Sequence, residues 1–371
     1  MQQLLEAQKP KLFLPILSRK MKENKRVLLG MSGGIDSSMS AIILKEQGFE
    51  VVGISFQFSG SDEQCERVFS DAKTLARKLN IPHITVDLRY EFKEKIIQYF
   101  IDEYLVGRTP FPCAYCNPNL KFHYLEKYAN ANNCFYISTG HYVKTGIYSG
   151  KKYLFAGDDP DKDQTFFLWG LKREIVDRLY FPLGGYKKVD VRNMASNRGF
   201  TQLSEKKDSL GICFIEGNNY RNFLEENGIL SSPGNFVYHN GEIIGCHKGI
   251  TNYTIGQRRG LGLNLNFPVF VSEIRLDRNE IVLAKYEDLY RTKIQLKDYY
   301  FIDKEIVNNE CELIVKVRYR LQETRCKLHI FNDTRAEVEL LEPEAMISPG
   351  QTAVFYDGNR LVGGGFIESS E

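Results

Sequence analysis

Val27-Leu28-Leu29-Gly30-Met31-Ser32-Gly33-Gly34-Ile35-Asp36-Ser37-Ser38 decides the fold of this chain. The apolar triplet reads as a buried strand, and the apolar-periodic run at 39–44 that follows reads as a helix. Between them lies a glycine-rich turn. A strand, such a turn and a helix start form a nest of backbone N–H groups at the positive end of a helix dipole. Adjacent glycines let the main chain approach an anion closely, and the serine hydroxyls add donors. The turn therefore suits a polyphosphate; the bland alternative is a plain connection between two core elements. It is not a Walker A loop, because no Gly-Lys-Ser/Thr follows to serve β- and γ-phosphate chemistry.

Working outward, strand-like runs recur at 51–56, 84–88 and 135–139, with helical patterns between them. One pattern puts Val68, Phe69, Ala72, Leu75, Ala76 and Leu79 on a single face. Another does the same with Phe92, Ile96, Phe100, Ile101 and Tyr104. Strands alternating with helices predict a doubly wound parallel sheet. In such sheets ligands bind beyond the carboxyl ends of the strands, where the Gly30 turn, Phe56 and Gly140-His141 all fall. After about residue 215 the pattern changes. Turn signals crowd in (Pro233-Gly234, Asn240-Gly241, Pro349-Gly350, Asp357-Gly358), with short alternating runs between them. Residues 216–285 read as a small mixed or β domain and 286–371 as a β-barrel or sandwich.

Composition is that of an ordinary globular protein, 43% hydrophobic and 26% charged over 371 residues, enough for two or three domains. The net charge of +2 leaves any nucleic acid to be met by local patches. No apolar run approaches the ~20 residues of a membrane span. The run Leu12-Phe13-Leu14-Pro15-Ile16-Leu17 is short and proline-broken, which argues against a signal peptide. Eight scattered cysteines then predict a reduced, cytoplasmic protein whose cysteine chemistry is catalytic or metal-binding.

Two cysteine segments stand out. Cys113-Ala114-Tyr115-Cys116 follows Thr109-Pro110-Phe111-Pro112, and the prolines predict a stiff, extended loop rather than helix. Cys213 follows Lys206 and Lys207, which would lower its thiol pKa. Cys134 and Cys326 read as small buried hydrophobes.

Seven motifs stand in one order: Gly30–Ser38, the segment at 107–117, Lys121-Phe122, Thr139-Gly140-His141-Tyr142, Lys162-Asp163-Gln164, Gly211-Ile212-Cys213-Phe214 and the run at 253–262. Together they resemble the tRNA-specific 2-thiouridylases, members of the PP-loop ATP pyrophosphatase superfamily, from about residue 26 onward. The resemblance implies an α/β PP-loop catalytic domain at 26–215 after an extension at 1–25, a central tRNA-binding domain at 216–285 and a C-terminal β-barrel at 286–371. It implies ATP at Gly30, Met31, Ser32, Gly33, Gly34, Ile35, Asp36 and Ser37, with Phe56 on the adenine side and Gly140 closing the pocket. Asp36 would orient the loop or a Mg²⁺ ion. The C2 oxygen of a wobble uridine would be adenylated. Cys213 would carry the sulfur as a persulfide, and Cys116 would be the nucleophile that frees it, leaving a transient Cys116–Cys213 disulfide. His141, Lys162, Asp163, Gln164, Arg318, Tyr319 and Gln351 match tRNA-contact positions, and Phe111, Pro112 and Cys113 match the stretch that meets the target base. The implied partners are tRNA and a cysteine desulfurase or other persulfide donor; a monomer is expected.

The chemistry agrees with these residue types. A carbonyl oxygen must become a leaving group before sulfur can replace it, and a thiolate or persulfide is the natural nucleophile. A disulfide between residues 97 apart in sequence needs a fold that brings their Cα atoms within about 6 Å. The chain also departs from the family pattern, with Phe111 where Asn is usual, Leu210 where Thr is frequent, and Glu216-Gly217-Asn218 where Gly-Glu-Arg is usual. Three further readings stay open: a cluster-dependent thiolase with Cys113, Cys116 and Cys213 as three corners of an iron–sulfur cluster, another PP-loop RNA modifier or amidotransferase, and a non-catalytic tRNA-binding paralogue. In the barrel, Lys316, Arg318, Arg320, Arg325, Lys327 and His329 share a strand face that would suit phosphates, or would pair with Glu337 and Glu339. Arg258-Arg259 is a second candidate basic patch.

Overall fold

The computed structural model describes residues 25–205, 211–215, 217, 219–303, 312–319 and 323–371, without the side chains of Gln64, Cys65, Arg67 and Val68. The extension at 1–24, Lys206, Lys207, Leu210, Glu216, Asn218, Cys311 and Arg320 lie outside the described residues.

Four parallel strands form the first sheet: β1 (Arg26–Gly30), β2 (Glu50–Gln57), β3 (His83–Asp87) and β4 (Tyr136–Ser138), in the order β3-β2-β1-β4. Successive side chains of β1 point to opposite faces. Val27 and Leu29 pack with Ala41 and Leu44 of α1 (Ile35–Glu46) and with Ala72, Leu75 and Ala76 of α2 (Asp62–Lys78). Leu28 packs on the other side with Phe122, Leu125 and Ala129 of α5 (Phe122–Ala131). Helices cover both faces, which is why β1 reads as an unbroken apolar run. The predicted helix after β3 runs as Arg89–Phe92, a π-helical turn Lys93–Ile97 and α3 (Gln98–Leu105), burying Phe92, Ile96, Phe100, Ile101 and Tyr104 as one face.

The CxxC segment corrects an expectation. Instead of an extended loop, Pro112–Cys116 forms a short helix, α4, which passes through a π-helical turn at Asn117–Lys121 into α5. The prolines allow this because Pro112 opens the helix, where a missing N–H costs no intrahelical bond. Phe111, at φ −117° and ψ 78°, stays outside the helical region that a following proline disfavours.

A β-hairpin of β5 (Val143–Tyr148) and β6 (Lys151–Ala156) follows β4 and leaves the first sheet altogether. The sequence pattern gave no sign of it. It joins the C-terminal sheet, with Phe155 opposite Arg360. The Arg360 guanidinium lies 3.7 Å from the Tyr148 ring centroid and 4.8 Å from that of Tyr153.

The middle of the chain forms a mixed sheet, with β10 (Glu280–Ala284) parallel to β7 (Gly234–Tyr238) and antiparallel to β9 (Phe270–Arg275), and β8 (Ile243–His247) beyond β7. Phe236, Val271, Ile281 and Leu283 give it a core of its own. The C-terminal strands are β11 (Tyr290–Phe301), β12 (Glu312–Lys316), β13 (Thr324–Ile330), β14 (Arg335–Ala345), β15 (Thr352–Asp357) and β16 (Arg360–Ser370). They run in the order β11-β14-β13-β12-β15-β16, and β16 pairs back to β11, closing a barrel. Among the described residues no helix is long and apolar enough to cross a membrane.

Candidate active site

The turn after β1 is closed by its own side chains. Ser32 N–H donates to Ser37 Oγ at 3.1 Å, and Ser37 Oγ donates to the Gly34 carbonyl at 3.2 Å. Gly33 takes φ +70°, a conformation open to glycine, and Gly34 precedes α1 without a side-chain cap. Met31 is stitched to β2: its N–H donates to the Ile54 carbonyl at 2.7 Å and its carbonyl accepts from Ser55 Oγ at 2.5 Å. Gly140 sits against the helix start so closely that a Cβ there would lie 2.7 Å from Ser37 N. Phe56, near the end of β2, packs beside Phe58, Tyr124 and Tyr128. Every residue expected at the phosphate turn thus falls at the carboxyl ends of β1, β2 and β4.

Asp36 is half-buried and held by two side chains. Its Oδ1 accepts from Tyr142 OH and Lys188 Nζ, each at 2.7 Å, and its Oδ2 accepts from Lys188 Nζ at 2.7 Å. Lys188 opens α6 (Lys188–Asn197) and is buried. The arrangement fits an orienting role for Asp36, with its carboxylate fixed by Lys188 and Tyr142 beside the turn. Sequence reasoning missed Lys188, and no local pattern marks it.

The three cysteines singled out converge. Cys113 and Cys116 are half-buried on α4, and Cys213 is exposed; all are free thiols. Each of the first two feels the charge of Cys213, and all three feel Lys121. The Cys213 segment is anchored by Phe214, whose ring lies 5.5 Å from Phe92 and 5.3 Å from Phe100, in a cluster that also packs Cys116. Burial pushes the Cys113 thiol up to about 11 and Cys116 up to about 12, while Lys121 opposes the rise in both. Lys121 is therefore the described cation facing the thiols; Lys206 and Lys207, expected in that role, lie outside the described residues. Cys134 and Cys326 are buried, as expected. Among the described residues no group of three or more His, Cys, Asp or Glu side chains is arranged to hold a metal ion.

The expected tRNA-contact residues are placed unevenly. His141 is buried, shares a 2.5 Å hydrogen bond with Thr139 Oγ1, and is kept neutral by burial and by Lys121. Asp163 is buried and accepts from Gly157 N–H (3.0 Å) and Thr165 Oγ1 (2.7 Å). Gln164 Oε1 accepts from Tyr142 N–H at 3.1 Å, joining the half-buried Lys162 turn to the Tyr142–Asp36 bond. Phe111 stacks on Phe167 (5.5 Å between centroids, 19° between planes), and Phe167 lies 4.6 Å from Tyr319 of the barrel. Arg318 donates to the Met346 carbonyl, and Gln351 donates to the Thr109 carbonyl at 2.9 Å. Much of the basic strand face is neutralised by carboxylates: Lys316 pairs with Glu323 at 3.1 Å, Arg325 with Glu312 at 3.8 Å, and His329 approaches Glu339 at 3.5 Å. Arg258 and Arg259 sit on an exposed turn.

A family model described as a tRNA methyl transferase HUP domain matches residues 25–217. A tRNA methyl transferase PRC-barrel domain matches 221–285, and an aminomethyltransferase beta-barrel domain matches 291–367. The chain is 45% identical over 366 residues to the tRNA-specific 2-thiouridylase MnmA 1 of Bacteroides fragilis, covering 95% of this chain and 99% of that protein. It is 41% identical over 361 residues to the tRNA-specific 2-thiouridylase MnmA 1 of Caldanaerobacter subterraneus, covering 94% and 99%. Among solved structures, a 4-thiouridine synthetase–RNA complex with bound ATP matches at 18% identity and a TM-score of 0.34, over 54% of this chain and 50% of that one.

Proposed function

The chain belongs to the tRNA-specific 2-thiouridylase family, and from that footing we propose that it is a tRNA-uridine 2-sulfurtransferase that uses ATP to thiolate the wobble uridine. The single observation that carries the reading is that Cys116 and Phe214, the neighbour of Cys213, pack into one cluster although Cys116 and Cys213 lie 97 residues apart, in the same domain as the glycine-rich turn. The matching domain descriptions speak of methyl transfer, but a methyl transferase needs no such set of thiols, and the close relatives are named for thiolation.

ATP lies with its phosphates over Gly30–Ser37, and the uridine O2 attacks the α-phosphorus. The O2–P bond forms, the α–β bridging P–O bond breaks, and pyrophosphate leaves against the N–H groups of the nest. Mg²⁺ would travel on the ATP phosphates, with Asp36, held by Lys188 and Tyr142, orienting the turn beside them. A persulfide on Cys213, loaded by a desulfurase or relay protein, then attacks C2. Cys116 attacks the Cys213 sulfur, the terminal sulfur stays on C2, AMP departs, and a Cys116–Cys213 disulfide remains for an external dithiol to reduce. Extracting the base from the anticodon loop costs a few kcal/mol, which a single-stranded loop keeps small. We take the enzyme to work in the cytoplasm as a monomer. Expressed in cells that lack 2-thiouridine, the chain should restore that nucleoside in tRNA digests analysed by mass spectrometry. Unchanged tRNA would overturn the reading.

A further inference from the structure

The segment that leads into α4 contains Pro110 and Pro112, which supply no N–H of their own. Its backbone groups are satisfied from the barrel instead. Thr109 N–H donates to the Pro349 carbonyl at 2.8 Å. The carboxamide nitrogen of Gln351 donates to the Thr109 carbonyl at 2.9 Å and to the Pro110 carbonyl at 3.3 Å, so one NH₂ group serves two carbonyls. Gly350 permits this approach: it has φ +87°, and a Cβ there would lie 2.8–2.9 Å from the Thr109 backbone. One residue upstream, Arg108 forks onto buried Glu103 at 2.8 and 2.7 Å, and the same carboxylate accepts from Lys297 of β11 at 3.1 Å. Beyond Cys113, Tyr115 stacks on Tyr99 at 4.1 Å and faces Phe366 of β16 at 6.3 Å.

We propose that Gln351 is a positioning residue for Cys113 and Cys116. Its amide fixes the two carbonyls just before Phe111 and Pro112, and so fixes where α4 starts and where both thiols stand relative to Cys213. The barrel thereby completes the sulfur half of the site without touching the reacting atoms. A residue acting solely as a contact for tRNA would leave the thiols undisturbed when no tRNA is present, which separates the two roles.

The test uses the full chain without tRNA. Iodoacetamide labelling of Cys116 at a fixed pH is followed by peptide mass spectrometry in the wild type, Gln351→Ala and Gln351→Met; the methionine keeps the bulk and removes the donor. Calorimetric ATP titration serves as the control. Labelling of Cys116 should quicken by about fivefold to tenfold in both variants, as expected for losing one or two hydrogen bonds, with ATP affinity within about twofold of wild type. In single-turnover thiolation the rate should fall about tenfold with the tRNA KM unchanged. Unchanged labelling overturns the proposal, and joined to a raised tRNA KM it would make Gln351 a nucleic-acid contact. Faster labelling with an equal loss of ATP binding marks general loosening and also overturns it. Only the thiolation arm rests on the proposed reaction; a wild type inactive on tRNA would sink that reaction while the labelling result stood on its own.

Discussion

Ser32, Gly34 and Ser37 close the phosphate turn on one another across a separation of five residues, whereas Thr109 and Pro110 hand their carbonyls to Gln351, 242 and 241 residues further along. The first arrangement is a local device, and the second is an assembly. The turn's closing bonds form with the turn itself, and its further ties, to Ile54, Ser55, Tyr142 and Lys188, stay outside the C-terminal strands. An assembly reports on every element that supports it. The activation chemistry should therefore be insulated from the barrel, and the sulfur chemistry should depend on it.

The sharpest way to break this contrast is to remove a thiol. Cys116→Ser and Cys213→Ser should each lower 2-thiouridine formation by at least about 10³-fold, read by nucleoside mass spectrometry, and calorimetry should find ATP binding intact. Joint loss of both would mean that the two halves are not separable. The converse change is Gly140→Ala. Its Cβ would meet Ser37 N at 2.7 Å, and the overpacking, typically 1–3 kcal/mol, should weaken ATP binding by about 10–100-fold while Cys116 labelling stays at the wild-type rate.

A smaller effect probes the thiol pocket by pH. With the Cys116 thiol pushed up to about 12, the neutral thiol dominates below that pH and the reactive thiolate grows above it. Labelling should still climb steeply past pH 10, where an ordinary thiol of pKa about 8.5 has levelled off. Lys121→Met removes the opposing cation and should slow labelling at pH 9 by about threefold to tenfold; a plateau near pH 9 in the wild type would refute the buried-thiol account. The smallest effect concerns Phe111. Phe111→Asn loses a stacking contact with Phe167, worth about 1 kcal/mol, and should shift the tRNA KM by about two- to fivefold with ATP binding untouched. No shift would confine that ring to packing.

The same contrast governs what could be read from the sequence. The phosphate turn was legible because strand, glycines and helix start are contiguous, and the parallel sheet followed from apolar runs spaced by helical faces. The barrel was legible from turn residues and alternation. The helical state of Pro112–Cys116 was not, because the prolines that argue against helix in general sit where a helix can begin. Lys188 carries no local mark either, since it meets Asp36 across 152 residues. Lys121 stands in a motif, but its place beside Cys213 comes from tertiary packing. Lys316 and Arg325 read as a basic ladder because their carboxylate partners, Glu323 and Glu312, are found only once the strands are in register.

The hairpin β5–β6 has a consequence in time. Its partner in the C-terminal sheet is Arg360, which leaves the ribosome about 205 residues after Phe155. At roughly 5–20 residues per second, the hairpin waits about 10–40 s with one edge unpaired. The nascent chain can complete its four parallel strands during that interval, but not the sheet to which this hairpin belongs. A chain released early would carry a finished phosphate turn beside an open edge, the kind of surface that recruits chaperones or other nascent strands.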